Sequence, residues 1–302
     1  MDPRNDLREF LTSRRERLTP AQAGLPDFGG RRRVKGLRRE EVALLAGMST
    51  EYYVRLERGN GAGVSQAVLD GISRALQLDE AEHAHLYDLV RAANQGKSPG
   101  RRRGPTRAQQ VRANVLQLID AMQDVPVFVQ NGRLDAVATN RLGAALFSEM
   151  FVLPQRPMNA ARFTFLDPRA QTFYRDWEGN AHQIVALLRA EAGRAPYDRI
   201  LTDLVGELAT RSDLFRTLWA AHDVRVHRTG TKNVHHPVVG DLDLTFEAMD
   251  LTSEPGLQLL AFTATPGTPS HDGLQLLATW AATAQLEAVR TTVATSRKVD
   301  QP

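Results

Sequence analysis

Residues Leu37–Gly59 read LRREEVALLAGMSTEYYVRLERG. Val42, Ala43 and Ala46 lie three and four residues apart, on one apolar face of a helix. Gly47 stands where a helix needs a left-handed residue to stop. Met48 can fill the corner, and Ser49 offers an N-cap oxygen to a second helix. Tyr53 and Leu56 give that helix an inner face, Thr50, Glu51, Tyr52 and Arg55 its outer face, and Gly59 its end. Two helices across a short glycine-containing turn, with a polar face on the second, form a helix-turn-helix. In that arrangement the first helix lies across the DNA backbone and holds the second in the major groove.

The rest of the chain frames this stretch. Its 302 residues, 42% hydrophobic and 24% charged, suit two packed domains. With no cysteine, disulfides and thiolate sites are excluded, which fits a reducing compartment. No apolar run is long enough for a membrane span, and MDPRNDLREF has no apolar signal core. A cytoplasmic protein is expected. Net charge is +3 but uneven: residues 1–107 hold 20 Lys/Arg against 14 Asp/Glu, and residues 108–302 hold 18 against 21. The basic front is the candidate polyanion surface.

Residues 7–17 form a helical pattern with Leu7, Phe10 and Leu11 inward, and 20–36 a Pro/Gly-rich basic loop. Arg31, Arg32 and Arg33, just before the helix-turn-helix, can neutralise phosphates or reach into a minor groove. Residues 65–76 and 79–93 are two further helices, the last with a capping box from Asp79 and Glu82. An all-α five-helix domain over 1–93 is expected, then a linker over 94–106 and a second domain over 107–302. In the latter, 106–124 and 140–150 read as helices, with Leu118 and Ile119 on the inner stripe of the first. Pro126–Gln130 and Leu134–Ala138 read as a hairpin about Asn131-Gly132. Asp167-Pro168 opens one long helix to Glu191, and helices near 198–211 and 212–222 follow. Strands are expected at Val224–Val226, His235–Val239 (at an edge, because of Pro237), Leu242–Ala248 and Leu257–Thr265, with a closing helix over 270–293. The fold class is therefore α+β, with an antiparallel sheet in the rear domain.

The front resembles the Cro/C1 (XRE-type) helix-turn-helix regulators. With its neighbours VLDGISRAL and DEAEHAHLYDL it resembles more narrowly the MmyB-like regulators. FLDPRA, YRDWE, LRAEAGR, LVGEL, RSDLF, LWAAHDV and GTKNVHHPVVGDLDL extend that resemblance over nearly the whole chain. It implies a PAS-like rear domain that takes a fatty-acid-like or other apolar effector.

The Cro/C1 resemblance implies base reading by Thr50, Glu51 and Arg55. Arg55 suits guanine O6/N7 and Glu51 the cytosine N4 amine. It implies phosphate contacts for Arg39, Ser49 and Tyr52, with Arg58 able to do the same. Arg55 could equally pair with Glu51 at i−4. His83 and His85, at i and i+2, point apart and read as surface. His235 and His236 face opposite ways in a strand; with His222 and His227 they show no metal-ligand spacing, so neither metal nor cofactor is expected. Candidate ligand contacts are Phe128, Phe147, Tyr174, Trp177, Trp219, Phe246, Phe262, His235, His236 and, as an anion anchor, Arg225. Phe163 and Phe165 belong to the same aromatic set.

The function expected is sequence-specific regulation through double-stranded DNA. A homodimer would sit on a palindromic operator and respond to a small-molecule effector, with no membrane partner. The alternatives are a constitutive repressor whose rear domain only dimerises, or an enzyme carrying a helix-turn-helix. No nucleophile motif or metal cluster favours the enzyme.

Overall fold

A computed structural model describes residues 2–26, 34–94, 111–152, 157–223 and 229–283. In chain order its elements are α1 (Pro3–Arg17), α2 (Arg39–Ala46), α3 (Thr50–Glu57), α4 (Gln66–Ala75), α5 (Glu80–Asn94) and α6 (Ala113–Ala121). Then come β1 (Val127–Asn131), β2 (Ala136–Thr139), α7 (Arg141–Leu146), α8 (Ser148–Phe151), α9 (Ala160–Leu166) and α10 (Arg169–Phe173). The chain continues through α11 (Trp177–Arg194), α12 (Arg199–Arg211), α13 (Asp213–Ala220), β3 (Thr229–His236), β4 (Gly240–Asp250) and β5 (Leu257–Thr263). Residues 269–283 are also helical. Two compact units result: residues 1–103 with 185–226, and 104–184 with 227–302.

In the first unit, Leu7, Phe10, Leu11, Leu37, Val42, Tyr53, Leu56, Ile72 and Leu86 are fully buried in one core. Gly47 takes φ +68° and closes α2, a conformation that costs an L side chain about 1–2 kcal/mol. Asp79 and Glu82 form the expected capping box, with Glu82 N donating to Asp79 Oδ1 at 2.8 Å and Asp79 N to Glu82 Oε2 at 3.1 Å. One expectation fails here: His85 is buried, not on the surface. It lies in the series Ala81, His85, Leu89, Ala93, the inner stripe of α5. Its separation from His83 says only that the two diverge; His83 is the partly exposed one, stacked on Tyr87.

The second unit holds a five-stranded sheet in the order β2-β1-β5-β4-β3, antiparallel throughout. One face carries Phe128, Leu242, Leu244, Phe246 and Phe262 into the main core. The other face, at β1 and β5, carries Val127, Val129, Leu257 and Leu259 against Ile119 of α6. Two covered faces explain why β1 reads as a continuous apolar run.

Several boundaries differ from the reading above. The expected helix from Asp167 to Glu191 is broken into α10 and α11. Arg175 N donates to Asn233 O at 3.1 Å and Tyr174 bridges to Val234, so the chain between them runs extended along β3. The 140–150 helix divides at Phe147 into α7 and α8, with Asn140 as the N-cap. Helix α6 is shorter than expected, and Leu118 is exposed while Ile119 is buried. No strand runs over His235–Val239: β3 ends at His236, and 237–239 are the turn into β4, because Pro237 has no N–H for the ladder. Val224–Val226, and most of the linker 94–106, lie outside the described residues.

Candidate functional site

The second helix of the motif, α3, is held from inside. Ser49 Oγ accepts from Tyr52 N at 3.2 Å and caps it, and Tyr53 and Leu56 are fully buried. Glu57, at its last turn, is also buried. Its Oε1 lies 2.6 Å from Arg15 Nε, and its Oε2 accepts from Arg39 Nε. Arg15 in turn donates to Leu37 O at 3.0 Å. These three charged residues tie α3 to α1 and to the start of α2. The pairing was not anticipated, because Arg15 and Glu57 stand 42 residues apart.

The outer face is left open. Thr50, Glu51, Arg55 and Arg58 are exposed and, with Val54 and Asn60, line one open concave surface. Among the described residues, Thr50, Glu51 and Arg55 make no side-chain hydrogen bond or ion pair. Arg55 lies over the Tyr52 ring instead, 4.8 Å from its centroid, so the Arg55–Glu51 pair does not form. Arg39 is half-exposed beyond its bond to Glu57. Ser49 is exposed and Tyr52 partly so. Arg31, Arg32 and Arg33 lie outside the described residues.

Of the candidate ligand contacts, Phe128, Phe147, Tyr174, Phe246 and Phe262 meet in the main core of the second unit, with Trp177 packed against it. Phe128, Phe147 and Phe262 touch one another at centroid distances of 5.1–5.7 Å, and Phe163 joins through Phe173 and Tyr174. Trp219 does not belong there. It lies in the first unit, under the Arg189 guanidinium at 3.8 Å and stacked on Phe215 at 5.6 Å. Arg225 and His227 lie outside the described residues. His235 and His236 do face opposite ways. His235 is exposed, 2.6 Å from Asp241 Oδ1. His236 is buried, with Nε2 at 3.0 Å from Ala145 O while Nδ1 accepts from Val238 N at 3.2 Å. Burial lowers the pKa of His236, and the Ala145 carbonyl opposes that shift. Both ring nitrogens are therefore spent on backbone, which makes His236 a structural residue of the β3–β4 turn. Among the described residues no group of His, Asp and Glu could hold a metal ion.

A second charged site was not anticipated. Lys232, on the inward face of β3, donates from Nζ to Asn180 Oδ1 at 2.7 Å and Gln183 Oε1 at 2.8 Å. Burial lowers its pKa to about 8, against an opposing pull from Asp176.

Comparison with known families agrees with this geometry. Residues 6–86 match a helix-turn-helix domain. Residues 111–277, just over half the chain, match the MmyB-like transcription regulator ligand binding domain. No curated protein matches the chain. No helix among the described residues is long and apolar enough to cross a membrane. A helix-turn-helix with an unspent outer face, followed by this ligand-binding domain, makes the chain a DNA-binding transcription regulator that belongs to the MmyB-like family.

Proposed function

We propose that this protein is a cytoplasmic, homodimeric regulator that reads a palindromic operator and releases or engages it in response to an apolar or amphipathic small molecule. The DNA-reading part is residues 1–93; the effector is held within 107–302, joined by the linker 94–106. The observation that carries the reading is the outer face of α3. Thr50, Glu51 and Arg55 are presented together on a rigidly backed helix and make no side-chain hydrogen bond or ion pair among the described residues, Arg55 resting only on the Tyr52 ring. Arg55 reads guanine, Thr50 and Glu51 read its neighbours, and Ser49, Tyr52, Arg39, Arg58 and Arg31–Arg33 set the register on the phosphates. The five-stranded antiparallel sheet, with an aromatic core on one face, supports a PAS-like effector domain. An apolar, fatty-acid-like molecule suits that aromatic lining. For the effector to act, the operator-bound and free forms must bind it unequally. Among the described residues no group of His, Asp and Glu could hold a metal ion, and the sequence carries no nucleophile motif to suggest catalysis as its task.

The test is selection of bound DNA from a random library by the wild type and by Arg55→Ala. Loss of one bidentate contact costs about 1–3 kcal/mol, so a guanine preference at one position per half-site should relax. A palindromic consensus is expected for the wild type. An unchanged consensus in the variant would overturn the base-reading assignment. Native mass spectrometry of the purified protein is expected to show a bound small molecule. A clean apo mass, with operator affinity unmoved by any apolar ligand, would leave a constitutive binder.

A further inference from the structure

The family match and the packing divide the chain at different places. Residues 185–226 fall inside the stretch that matches the ligand-binding domain, yet they pack in the first unit with the helix-turn-helix. They comprise the end of α11, then α12 and α13. Their hold on α1 is polar. Arg14 donates from Nη2 to His222 O at 2.7 Å, just past the end of α13, and its Nε lies 2.7 Å from Glu82 Oε1 of α5. Arg17 Nη2 lies 2.5 Å from Asp223 Oδ1, and His222 Nε2 lies 3.0 Å from Glu9 Oε2. Arg14 is buried, and so is His222, whose φ of +55° few residues other than glycine adopt.

The next residue of α1 is a second buried arginine. Arg15 holds Glu57 at the end of α3 and the Leu37 carbonyl ahead of α2. Consecutive side chains of a helix point about 100° apart, so Arg14 reaches α5 and the end of α13 while Arg15 reaches α3. Helix α1 packs on both α5 and α3. Among the described residues no hydrogen bond or ion pair joins 185–226 to α3 directly. The two arginines are the polar link between them, and a shift of α13 against α1 is passed to Glu57 along one rigid helix. None of the groups that hold α13 belongs to the outer face of α3. The segment therefore braces the recognition helix without covering it.

We propose that Arg14 is a positioning residue for DNA reading: it ties the end of α13 to α1 and, through Arg15 and Glu57, sets the recognition helix. Residues 185–226 then belong to the DNA-reading machinery although their sequence matches the ligand-binding domain. This rests on the assignment of α3 as the base reader given above and adds the element that holds it. The direction follows from the contacts. A buried guanidinium needs its partners, and losing His222 O and Asp223 leaves Arg14 with Glu82 alone. With α13 engaged, α1 and α3 are ordered before DNA arrives, so engagement favours operator binding and release weakens it.

The experiment reverses the solvent-accessible pair at this contact, Arg17 and Asp223. Asp223→Lys sets a third positive charge against Arg14 and Arg17 and should release α13 while the fold is kept. Hydrogen exchange read by mass spectrometry on the full chain is expected to quicken about five-fold or more over 213–222 and over 50–57. Exchange over 66–75, in α4, which packs on α2 and α5, should not change. Affinity for the duplex that the wild type selects from a random library, at one salt concentration, should fall about five-fold or more. The added positive charge alone would raise it. The swapped pair Arg17→Glu/Asp223→Lys should lie closer to wild type than either single variant in both measurements. Asp203→Lys, the same charge change at an exposed site of α12, should leave 50–57 unmoved. Faster exchange over 213–222 with none over 50–57 would overturn the positioning role. So would equal quickening over 66–75, which is general loosening, or no change over 213–222, which means that these groups do not hold α13. A loss of affinity left unrepaired by the swapped pair would overturn it as well. If the wild type selects no duplex, base reading by α3 falls, and the exchange result still decides whether Arg14 positions that helix.

Discussion

Glu57→Gln tests how the recognition helix is held. Glu57 is 2% exposed, and its carboxylate is shared by Arg15 Nε at 2.6 Å and by Arg39 Nε. Arg15 is 6% exposed and keeps two other acceptors, Leu37 O at 3.0 Å and the exposed Glu16 Oε1 at 3.5 Å. Removing the negative charge leaves the buried Arg15 cation with only the solvent-exposed Glu16 carboxylate, at 3.5 Å, as counter-ion. Breaking one side of a buried pair costs about 3–5 kcal/mol. Gln retains one neutral acceptor and Leu37 O stays in place, so the lower end, about 3 kcal/mol, is expected. Arg39 is half-exposed, and its stranded charge adds little because water takes it up. At about 2–4 °C per kcal/mol for a unit of this size, the melting temperature should fall by roughly 6–12 °C. Differential scanning calorimetry of the full chain measures it. The double variant Arg15→Met/Glu57→Leu removes both charges and should recover most of the loss, since no buried charge is left unpaired and only the neutral Leu37 carbonyl loses its donor. A fall of less than about 2 °C in Glu57→Gln would refute the electrostatic argument. If the double variant fell further than the single one, shape and not charge would be what Glu57 supplies.

The buried ionisable groups of the first unit make its stability depend on pH. Burial, with Arg189 and Arg14 nearby, lowers the His85 pKa from 6.5 to about 3. The unfolded chain then takes a proton that the folded chain refuses, so stability present at pH 7 is lost as pH falls below about 6.5, toward 3. His85 alone accounts for about 2 kcal/mol between pH 7 and pH 5. Asp6, raised by burial to about 6, works in the opposite sense over the acid end of that range. His85→Leu should therefore flatten the urea-midpoint curve between those pH values, and parallel curves would rule the assignment out. In the second unit, Asn140 closes four hydrogen bonds. Its Oδ1 accepts from Val127 N and Gly143 N at 3.0 and 2.8 Å, and its Nδ2 donates to Met122 O and Val125 O, both at 2.7 Å. Asn140→Ala should cost about 3 kcal/mol or more by chemical denaturation, as it orphans several backbone groups at once. A loss below about 1 kcal/mol would mean that water replaces the amide.

What was legible in the sequence was whatever period and capping encode. Val42, Ala43, Tyr53 and Leu56 announced the helix-turn-helix because each short helix carries its own apolar stripe. Asp79 announced a helix start because a cap is a local hydrogen bond. What stayed hidden were inward charges whose partners lie far along the chain. Arg15 reaches Glu57 over 42 residues, and Arg14 reaches the carbonyl of His222 over 208. A rule that sends charge to the surface cannot place either. Trp219 was misplaced for the same reason: an aromatic residue in the rear half could not announce that Arg189 and Phe215 had already claimed it. Lys232 is different, because its position is contained in a phase that can be read. Taking Pro237 as part of an edge strand put the strand after His235, whereas treating 237–239 as the turn pairs His236 with Gly240 and Val234 with Leu242. Counting back by twos from Val234, in a strand of that phase, puts Lys232 on the side of Leu242, Leu244 and Phe246. A one-residue slip would have placed the same lysine in water, where it would require no explanation. The register of one hairpin therefore decides whether this charge is ordinary surface or the polar feature of an apolar core.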